Sequence, residues 1–330
     1  RCGIAGGQPV RPPHLPAARF KPFAALGTPP VSLLQTLGHF TGFKTCHQIF
    51  GFEFVVATRP KRDCRKREIA SLQFHSKIKG RTHTSAKTAY AIAEGLSGDV
   101  LLESDITYDA PAEELEIHDD ELTIVAAPVY GGRVAETAME RLRAFHAHQA
   151  PVVPVVVYGN RDYEDALKEL SDTLVDAGFV PVSAGAFVGE HSFSRKDMPI
   201  AAGRPDEADH EAAVRFGRAI KEKLEKVDEL SCLKPLEMKG NFPYKVKGPS
   251  TPQAPVTDED LCTQCEYCID VCPVSAISIV DDRIFSDPAT CIKCCACVKE
   301  CPEGARTFDT PYTAMLHKNF SVRREPELFI

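Results

Sequence analysis

The 330-residue chain has no tryptophan, only four methionines and no apolar run long enough to cross a bilayer. Its longest apolar stretch is PVVPVVVY at residues 151–158, far shorter than the roughly 20 residues that a membrane-spanning helix needs. The first residues carry charge, proline and glycine without a continuous apolar core, so we expect no secretory signal there. We therefore expect no membrane span, and we expect residues 151–158 to form a buried strand.

Acidic residues are scarce in the first 90 residues, which hold three Asp or Glu against fifteen Lys or Arg. The whole chain is nevertheless mildly acidic, with 46 Asp or Glu against 39 Lys or Arg, which argues against a general nucleic-acid-binding protein. The basic cluster RPKRDCRKRE at 59–68 lacks interleaved aromatic residues, so we expect it to be solvated. Residues 1–68 are also proline-rich and poorly periodic, which predicts a poorly ordered extension.

Cysteines are abundant, and nine of the thirteen fall between residues 262 and 301. Disulfides in a secreted protein are one explanation, but the regular ligand-like spacing favours metal thiolates in a reducing cytoplasm. We therefore expect a cytoplasmic protein. The remaining cysteines show no ligand spacing among themselves and are interpreted as incidental thiols: Cys2, Cys46, Cys64 and Cys232.

The nine clustered cysteines form an internal repeat. CTQCEYCIDVCP and CIKCCACVKECP share the spacing C-x2-C-x2-C-x3-C-P. Cys295 falls out of this register, so we interpret it as a small buried residue beside the site. The spacing resembles that of bacterial two-cluster ferredoxins, in which three cysteines of one motif and the fourth of the other bind each [4Fe–4S] cluster. Zinc is the alternative, although a third cysteine at fixed spacing has no role in a tetrahedral site. The resemblance implies two ligand sets: Cys262, Cys265, Cys268 and Cys301, and Cys291, Cys294, Cys297 and Cys272.

The middle of the chain alternates segments of helical period with apolar strand-like segments. This alternation predicts an α/β fold in which helices cover both faces of a doubly wound parallel sheet. Between the cysteine motifs, AISIVDDRIFSD has the alternation and the Asp-Asp turn of a short hairpin, as in a small α+β domain. We divide the chain into the extension, an α/β domain at 69–230, a linker at 231–254, a two-cluster domain at 255–310 and a tail at 311–330.

Two glycine-bearing loops follow predicted strands of the α/β domain. Ligands of such sheets bind at the carboxyl ends of the strands, and tyrosine can stack on a flat ring that glycine lets approach the backbone. Ordinary strand-to-helix turns are the alternative. In PVYGGR and YGNRDY the candidate ligand-binding residues are Pro128, Val129, Tyr130, Gly131, Tyr158, Gly159, Asn160 and Tyr163. His191, just after the last strand, is expected to be held by local backbone hydrogen bonds.

The stretches PVYGGR, VVYGNRDYEDAL, GAFVGEHSFS, AAGRPD and KGNFPYK, followed by the two cysteine motifs, resemble the flavodoxin-like plus ferredoxin fusion proteins of anaerobic microbes. The resemblance covers roughly residues 85–310. It implies a flavodoxin-like sheet and FMN, with the two glycine loops at the flavin ring and Thr82, Thr84 and Ser85 of RTHTSAK at the phosphate. The sequence departs from the family just upstream, where KIKG replaces Phe-Ser and His83 replaces glycine, which predicts weakened FMN binding.

These features predict an electron-transfer protein in which two [4Fe–4S] clusters exchange electrons with a redox partner protein and with any flavin. One alternative is a flavin-dependent reductase of a small substrate, in which the clusters carry electrons for the reaction. A ferredoxin carried on a flavodoxin-like docking scaffold that has lost FMN is the other. No acid, base or nucleophile constellation stands out, so an electron carrier is favoured over an enzyme.

Overall fold

The computed structural model describes residues 54–59, 83–97 and 99–330. Its helices are α1 (Thr84–Leu96), α2 (Glu136–Arg141), α3 (Ala166–Asp176), α4 (Glu207–Glu225), α5 (Tyr267–Asp270), α6 (Ala296–Lys299) and α7 (Pro311–Phe320). Its strands are β1 (Phe54–Arg59), β2 (Asp99–Asp105), β3 (Leu115–Ile117), β4 (Leu122–Tyr130), β5 (Arg133–Val134), β6 (Phe145–Ala147), β7 (Pro151–Tyr158), β8 (Val180–Pro181), β9 (Ala184–Val188), β10 (Val256–Thr257), β11 (Ile277–Val280), β12 (Arg283–Ser286), β13 (Arg306–Thr307) and β14 (Glu327–Phe329). Within these residues, no helix combines the length and apolar character that crossing a membrane requires.

The main sheet is mixed rather than purely parallel. Its strand order is β14-β9-β7-β4-β1-β2, and β4, β7 and β9 run parallel to one another. However, β1 pairs antiparallel with both β4 and β2, and β14 pairs antiparallel with β9. The prediction of an α/β fold with parallel strands is therefore confirmed, whereas the prediction of a parallel sheet throughout is wrong.

Strand β1 lies inside the segment predicted to be an extension. Its sequence, FVVATR, is rich in residues that favour strands, and it fills the position between β2 and β4. The predicted boundary at residue 68 does not hold for these six residues, while the rest of residues 1–68 lies outside the described residues.

Both faces of the sheet are covered at β7, which explains why the sequence of this strand is continuously apolar. All eight residues of β7 are buried. Val152 and Val156 pack in one core with α2 and α3, whereas Val153, Val155 and Val157 pack in the other core with α1 and α4. Successive side chains of a strand point to opposite faces, so a strand covered on both sides needs apolar residues at every position.

Two glycines let α1 and α4 approach each other closely. A Cβ atom added to Gly95 would lie 2.0 Å from the carbonyl oxygen of Val214, and one added to Gly217 would lie 2.1 Å from that of Ile92. Both distances are far below van der Waals contact. The contact between the two helices therefore depends on the absence of side chains at these positions.

The predicted linker is bound to the α/β portion through a buried carboxylate. Asp165, which is 1% exposed, accepts hydrogen bonds from the Asn241 N–H at 2.9 Å, the Asn241 side-chain amide at 3.0 Å and the Lys245 N–H at 2.7 Å. Tyr244 donates to Asp172 at 2.6 Å. Residues 241–245 are thus part of the folded surface of the α/β portion.

The C-terminal tail returns to the edge of the sheet. Helix α7 begins after Thr310, whose side chain accepts a hydrogen bond from the Tyr312 N–H, and β14 then pairs with β9. The carbonyl of Arg324 accepts a hydrogen bond from Arg204 at 2.7 Å, and Arg323 pairs with Asp206 at 2.6 Å. These contacts hold the C-terminal tail against the edge of the α/β sheet.

Candidate metal centre

The two cysteine motifs repeat in backbone structure as well as in sequence. The Cys262 N–H donates to the carbonyl of Asp258 at 3.1 Å, and the Cys291 N–H donates to that of Asp287 at 3.0 Å. Each motif then enters a short helix, α5 or α6, through residues with positive φ: Gln264 and Glu266 in the first, and Lys293 and Cys295 in the second. The predicted hairpin between the motifs is confirmed, with β11 paired to β12 across Asp281 and Asp282, both at positive φ.

The first cavity collects cysteines from both motifs. Cys262, Cys265, Cys268 and Cys301 line about 330 Å³ of space, part of which is open to solvent. Cys265 is exposed and Cys268 is buried. Three of these cysteines belong to the first motif and Cys301 belongs to the second.

The second cavity has the reciprocal composition. Cys291, Cys294 and Cys297 of the second motif and Cys272 of the first line a similar space of about 330 Å³. In the described part of the chain, no three Cys, His, Asp or Glu side chains are close enough together to hold one metal ion. The structure thus groups the eight predicted ligands into the same two sets of four.

Cys295 also lines the second cavity. It occupies the position of Glu266 in the first motif, is 2% exposed and has a φ of 58°. Its thiol donates a weak hydrogen bond to the Lys293 carbonyl at 3.6 Å. The backbone bond satisfies the thiol locally, which agrees with the interpretation of Cys295 as a small buried residue.

Four of the ligand-set thiols are difficult to ionise because they are buried. Burial raises the pKa of Cys268 to about 11 and the pKa of Cys294 to about 12, and it also raises the pKa of Cys291 and Cys297. Burial has this effect because a thiolate loses its hydration. A bound positive centre would have to displace these protons, since only the thiolate is a strong metal ligand.

Several N–H groups point at the sulfur atoms of the second cavity. The Ala276 N–H donates to Cys272 Sγ at 3.2 Å and the Lys293 N–H donates to Cys291 Sγ at 3.4 Å. The guanidinium of Arg306 donates to Cys297 Sγ at 3.4 Å. Such bonds favour thiolate over thiol and tune the potential of a bound cluster. Four motif cysteines in each cavity, together with these N–H donors in the second, fit the chemistry of a [4Fe–4S] cluster.

The cysteine-bearing segment is attached to the α/β portion beside the second cavity. Arg141, near the end of α2, donates to the carbonyl of Pro273 at 2.8 Å, and Pro273 directly follows Cys272. Tyr108 packs against the apolar cluster of Cys268, Val271, Ile277, Ala296 and Cys297, as Cys272 and Cys294 also do, and it is close enough to Cys272 and Cys294 for electrostatic interaction. The second cavity is therefore the one next to the α/β portion.

A second attachment lies beyond β9. Lys299 Nζ contacts Glu190 and the Ser194 carbonyl, both at 2.6 Å. Phe193 packs on Phe308, with ring centroids 5.2 Å apart. His191 is held as predicted, because its Nδ1 accepts the Phe193 N–H at 3.0 Å.

The predicted flavin-ring loops lie together at the carboxyl ends of the parallel strands. Pro128, Val129 and Tyr130 end β4, and Gly131 follows at a φ of 66° with open space beside it. Tyr158 ends β7, and Gly159 packs against His191. The two loops are joined by a hydrogen bond from the Asp165 N–H to the Gly132 carbonyl at 3.1 Å.

Two of the predicted ring contacts are engaged by the C-terminal tail. The Asn160 side-chain amide donates to the carbonyls of Phe320 and Val322 at 2.7 and 2.8 Å. The Tyr163 hydroxyl donates to Glu327 at 2.6 Å, and the fully buried Tyr163 ring packs on Tyr158. These side chains therefore bind protein atoms rather than facing an open ring site.

The predicted phosphate loop is only partly described, because Thr82 lies outside the described residues. Thr84 begins α1 close to Gly189, at the end of β9. The buried hydroxyl of Ser85 has no hydrogen-bond partner in the described part of the chain. Hydroxyl groups at a helix N-terminus suit an anion, but Asn160 and Tyr163 do not complete the site that the FMN prediction requires.

Comparison with known proteins identifies the cysteine-bearing segment. A family model described as a 4Fe-4S dicluster domain matches residues 254–303. The chain is 47% identical over 51 residues to a subunit of the selenate reductase of Mesobacillus selenatarsenatis, a match that covers 14% of this chain and 18% of that protein. It is 37% identical over 81 residues to hydrogenase-4 component A of Escherichia coli, with 24% and 38% covered. It is 38% identical over 50 residues to ferredoxin 7Fe of Hydrogenibacillus schlegelii, with 15% and 64% covered.

Residues 254–303 therefore form a 4Fe–4S dicluster ferredoxin domain. The chain spans from 18% to 64% of the length of these three curated relatives. The domain supports iron–sulfur clusters and electron transfer as its chemistry. Arg306 was not predicted as a site residue, because a single arginine after CPEGA carries no spacing signal.

Proposed function

We propose that this protein transfers electrons through two [4Fe–4S] clusters held by crossed cysteine sets. The supporting observation is the division of eight cysteines between two cavities, each with three ligands from one motif and one from the other. Cys262, Cys265, Cys268 and Cys301 hold the first cluster, and Cys291, Cys294, Cys297 and Cys272 hold the second. Each cluster, when bound, supplies one-electron redox chemistry at low potential.

The chain's own residues set the environment of this chemistry. Ala305 in the first cavity and Ala296 in the second are each 1% exposed, and they exclude water from the inner sides of their cavities. The N–H groups of Ala276 and Lys293 stabilise negative charge on the sulfur atoms of the second cavity. A dry and fixed set of donors reduces the rearrangement that accompanies a change of charge.

The first cavity is the side on which we expect the redox partner protein to bind. Cys265 and the residues around it are exposed, whereas the second cavity is covered by the contacts of Arg141 and Tyr108. The first cavity is lined by the exposed acidic residues Glu266 and Glu303, and three more exposed acidic residues precede its first cysteine: Asp258, Glu259 and Asp260. A partner with a basic surface fits this rim, and its association rate should fall as ionic strength rises.

We assign the α/β portion the role of a scaffold for the ferredoxin domain. This choice rests on Asn160 and Tyr163, which are bound to the C-terminal tail, and on the altered loop before Thr84. The flavodoxin-like fold and FMN remain part of the proposal only as weak flavin binding at the start of α1. Titration of FMN with fluorescence detection should show little quenching, and tight binding at one flavin per chain would contradict the scaffold role.

A reductive titration tests the proposed electron transfer. Anaerobically purified protein should take up two electrons per chain from a one-electron donor, one per cluster, with bleaching of the visible iron–sulfur absorption. The reduced protein should return both electrons to a one-electron acceptor. Protein that contains both clusters but cannot be reversibly reduced would contradict the function, and protein with zinc in their place would contradict the cofactor.

A further inference from the structure

Arg306 is a buried cation without a carboxylate partner in the described part of the chain. The residue lies in β13 and is 3% exposed. Its guanidinium donates to Thr257 Oγ1 at 2.7 Å and to Ser286 Oγ at 2.6 Å. Both acceptors are neutral hydroxyls. A buried charge is costly unless an opposite charge compensates it, so neutral partners alone leave Arg306 unexplained.

The same side chain reaches both cysteine cavities. Arg306 lines the first cavity together with Cys262, Cys268 and Cys301. It also donates to Cys297 Sγ, in the second cavity, at 3.4 Å. Its Nε is buried and has no hydrogen-bond partner within the described residues. One guanidinium therefore lies between the two sets of thiols.

The charge of Arg306 acts on thiols of both sets. Its guanidinium lines the first cavity beside Cys268 and donates a hydrogen bond to Cys297 Sγ in the second cavity. A cation that favours thiolate also favours the negative charge of a cluster bound by four thiolates. That negative charge increases by one when the cluster is reduced, so a nearby cation should make reduction easier.

We propose that Arg306 is the shared counter-ion of the two clusters, an inference that rests on the proposed function. The guanidinium makes the reduction potential of both clusters less negative and weakens the electrostatic repulsion between them when both are reduced. The cluster bound by Cys297 receives the larger effect, because it also gains the N–H···S hydrogen bond. Arg306 is thus a positioning residue that acts on the clusters without binding iron.

Arg306→Gln, Arg306→Lys and a control variant test this role. The control is Arg283→Gln, which removes an exposed arginine, paired with Glu259, from the hairpin beside the first cavity. Iron and sulfide content is measured first, and the two midpoint potentials are then measured by anaerobic redox titration with EPR detection. Arg306→Gln should lower the reduction equilibrium constant of both clusters at least tenfold, which is about 59 mV for one electron. Arg306→Lys should give smaller shifts, and Arg283→Gln should give none.

The outcomes for these variants distinguish a shared counter-ion role of Arg306 from a packing role and from a failure of the proposed function. Arg306→Gln with both clusters and unchanged potentials would overturn the counter-ion role, and a shift in one cluster alone would overturn its shared character. If Arg306→Gln fails to retain clusters, retention of both by Arg306→Lys supports a requirement for charge. Failure of both variants would indicate that the guanidinium serves packing instead. Wild-type protein without iron would refute the proposed function itself, a result that the first measurement reveals separately.

Discussion

His191 makes the stability of this protein depend on pH in a defined direction. Burial lowers the pKa of His191 from 6.5 to about 4, and the charges of Lys299 and Arg161 act in the same direction. The folded protein therefore keeps the ring neutral, with Nδ1 free to accept the Phe193 N–H. As pH falls from 6.5 towards 4, His191 becomes protonated in the unfolded chain but stays neutral in the folded chain. The folded state is therefore progressively destabilised. The difference between the two pKa values of His191 corresponds to about 3 kcal/mol of unfolding free energy, at 1.36 kcal/mol per pKa unit.

The substitution His191→Asn isolates this effect. Asparagine Oδ1 can accept the same backbone N–H two residues later but does not titrate in this range. We expect the difference in unfolding free energy between wild type and variant to change in the variant's favour by about 3 kcal/mol between pH 7 and pH 4. Anaerobic thermal unfolding at several pH values measures this difference, and NMR titration of the His191 ring measures its pKa directly. A ring pKa near 6.5, or parallel pH profiles for the two proteins, would refute the reasoning.

Two further predictions concern the scaffold. Asp165→Ala removes the buried acceptor of the linker residues Asn241 and Lys245. It should lower the free energy of unfolding by roughly 2–5 kcal/mol and expose the linker to protease. Undiminished stability would show that other contacts hold the linker. Deleting residues 1–68 removes β1 and its two antiparallel ladders, whereas deleting residues 1–46 keeps them. The longer deletion should therefore unfold at the lower temperature by calorimetry, and equal midpoints would show that β1 adds little.

The ferredoxin domain could be predicted from sequence because its signal is local. The cysteine spacing alone separates two motifs, and the out-of-register position of Cys295 follows from aligning them. The hairpin between the motifs was also predictable, since two consecutive aspartates at positive φ suit its turn. These features depend on residues within about a dozen positions of one another.

The missed features depend on distant contacts. Strand β1 stands in a basic segment where no neighbouring pattern marks it, and its pairing with β2 and β4 is a tertiary event. The end of α2 is likewise set by tertiary contact, because Phe145 lies in β6 and pairs with Leu115 of β3. The engagement of Asn160 by the tail joins residues 160 positions apart, which no local pattern reveals.

The most direct test of the crossed ligand sets is the iron and sulfide content of paired cysteine variants, purified anaerobically. Wild type and Cys295→Ala should each contain about eight iron and eight sulfide, as expected for two cubane clusters. Cys272→Ala combined with Cys294→Ala removes two ligands from one proposed cluster, so about four iron should remain. Cys272→Ala combined with Cys265→Ala removes one ligand from each cluster and should disrupt both. If the Cys272 and Cys265 pair instead keeps one intact cluster while the Cys272 and Cys294 pair loses both, each motif holds its own cluster and the crossed assignment is wrong.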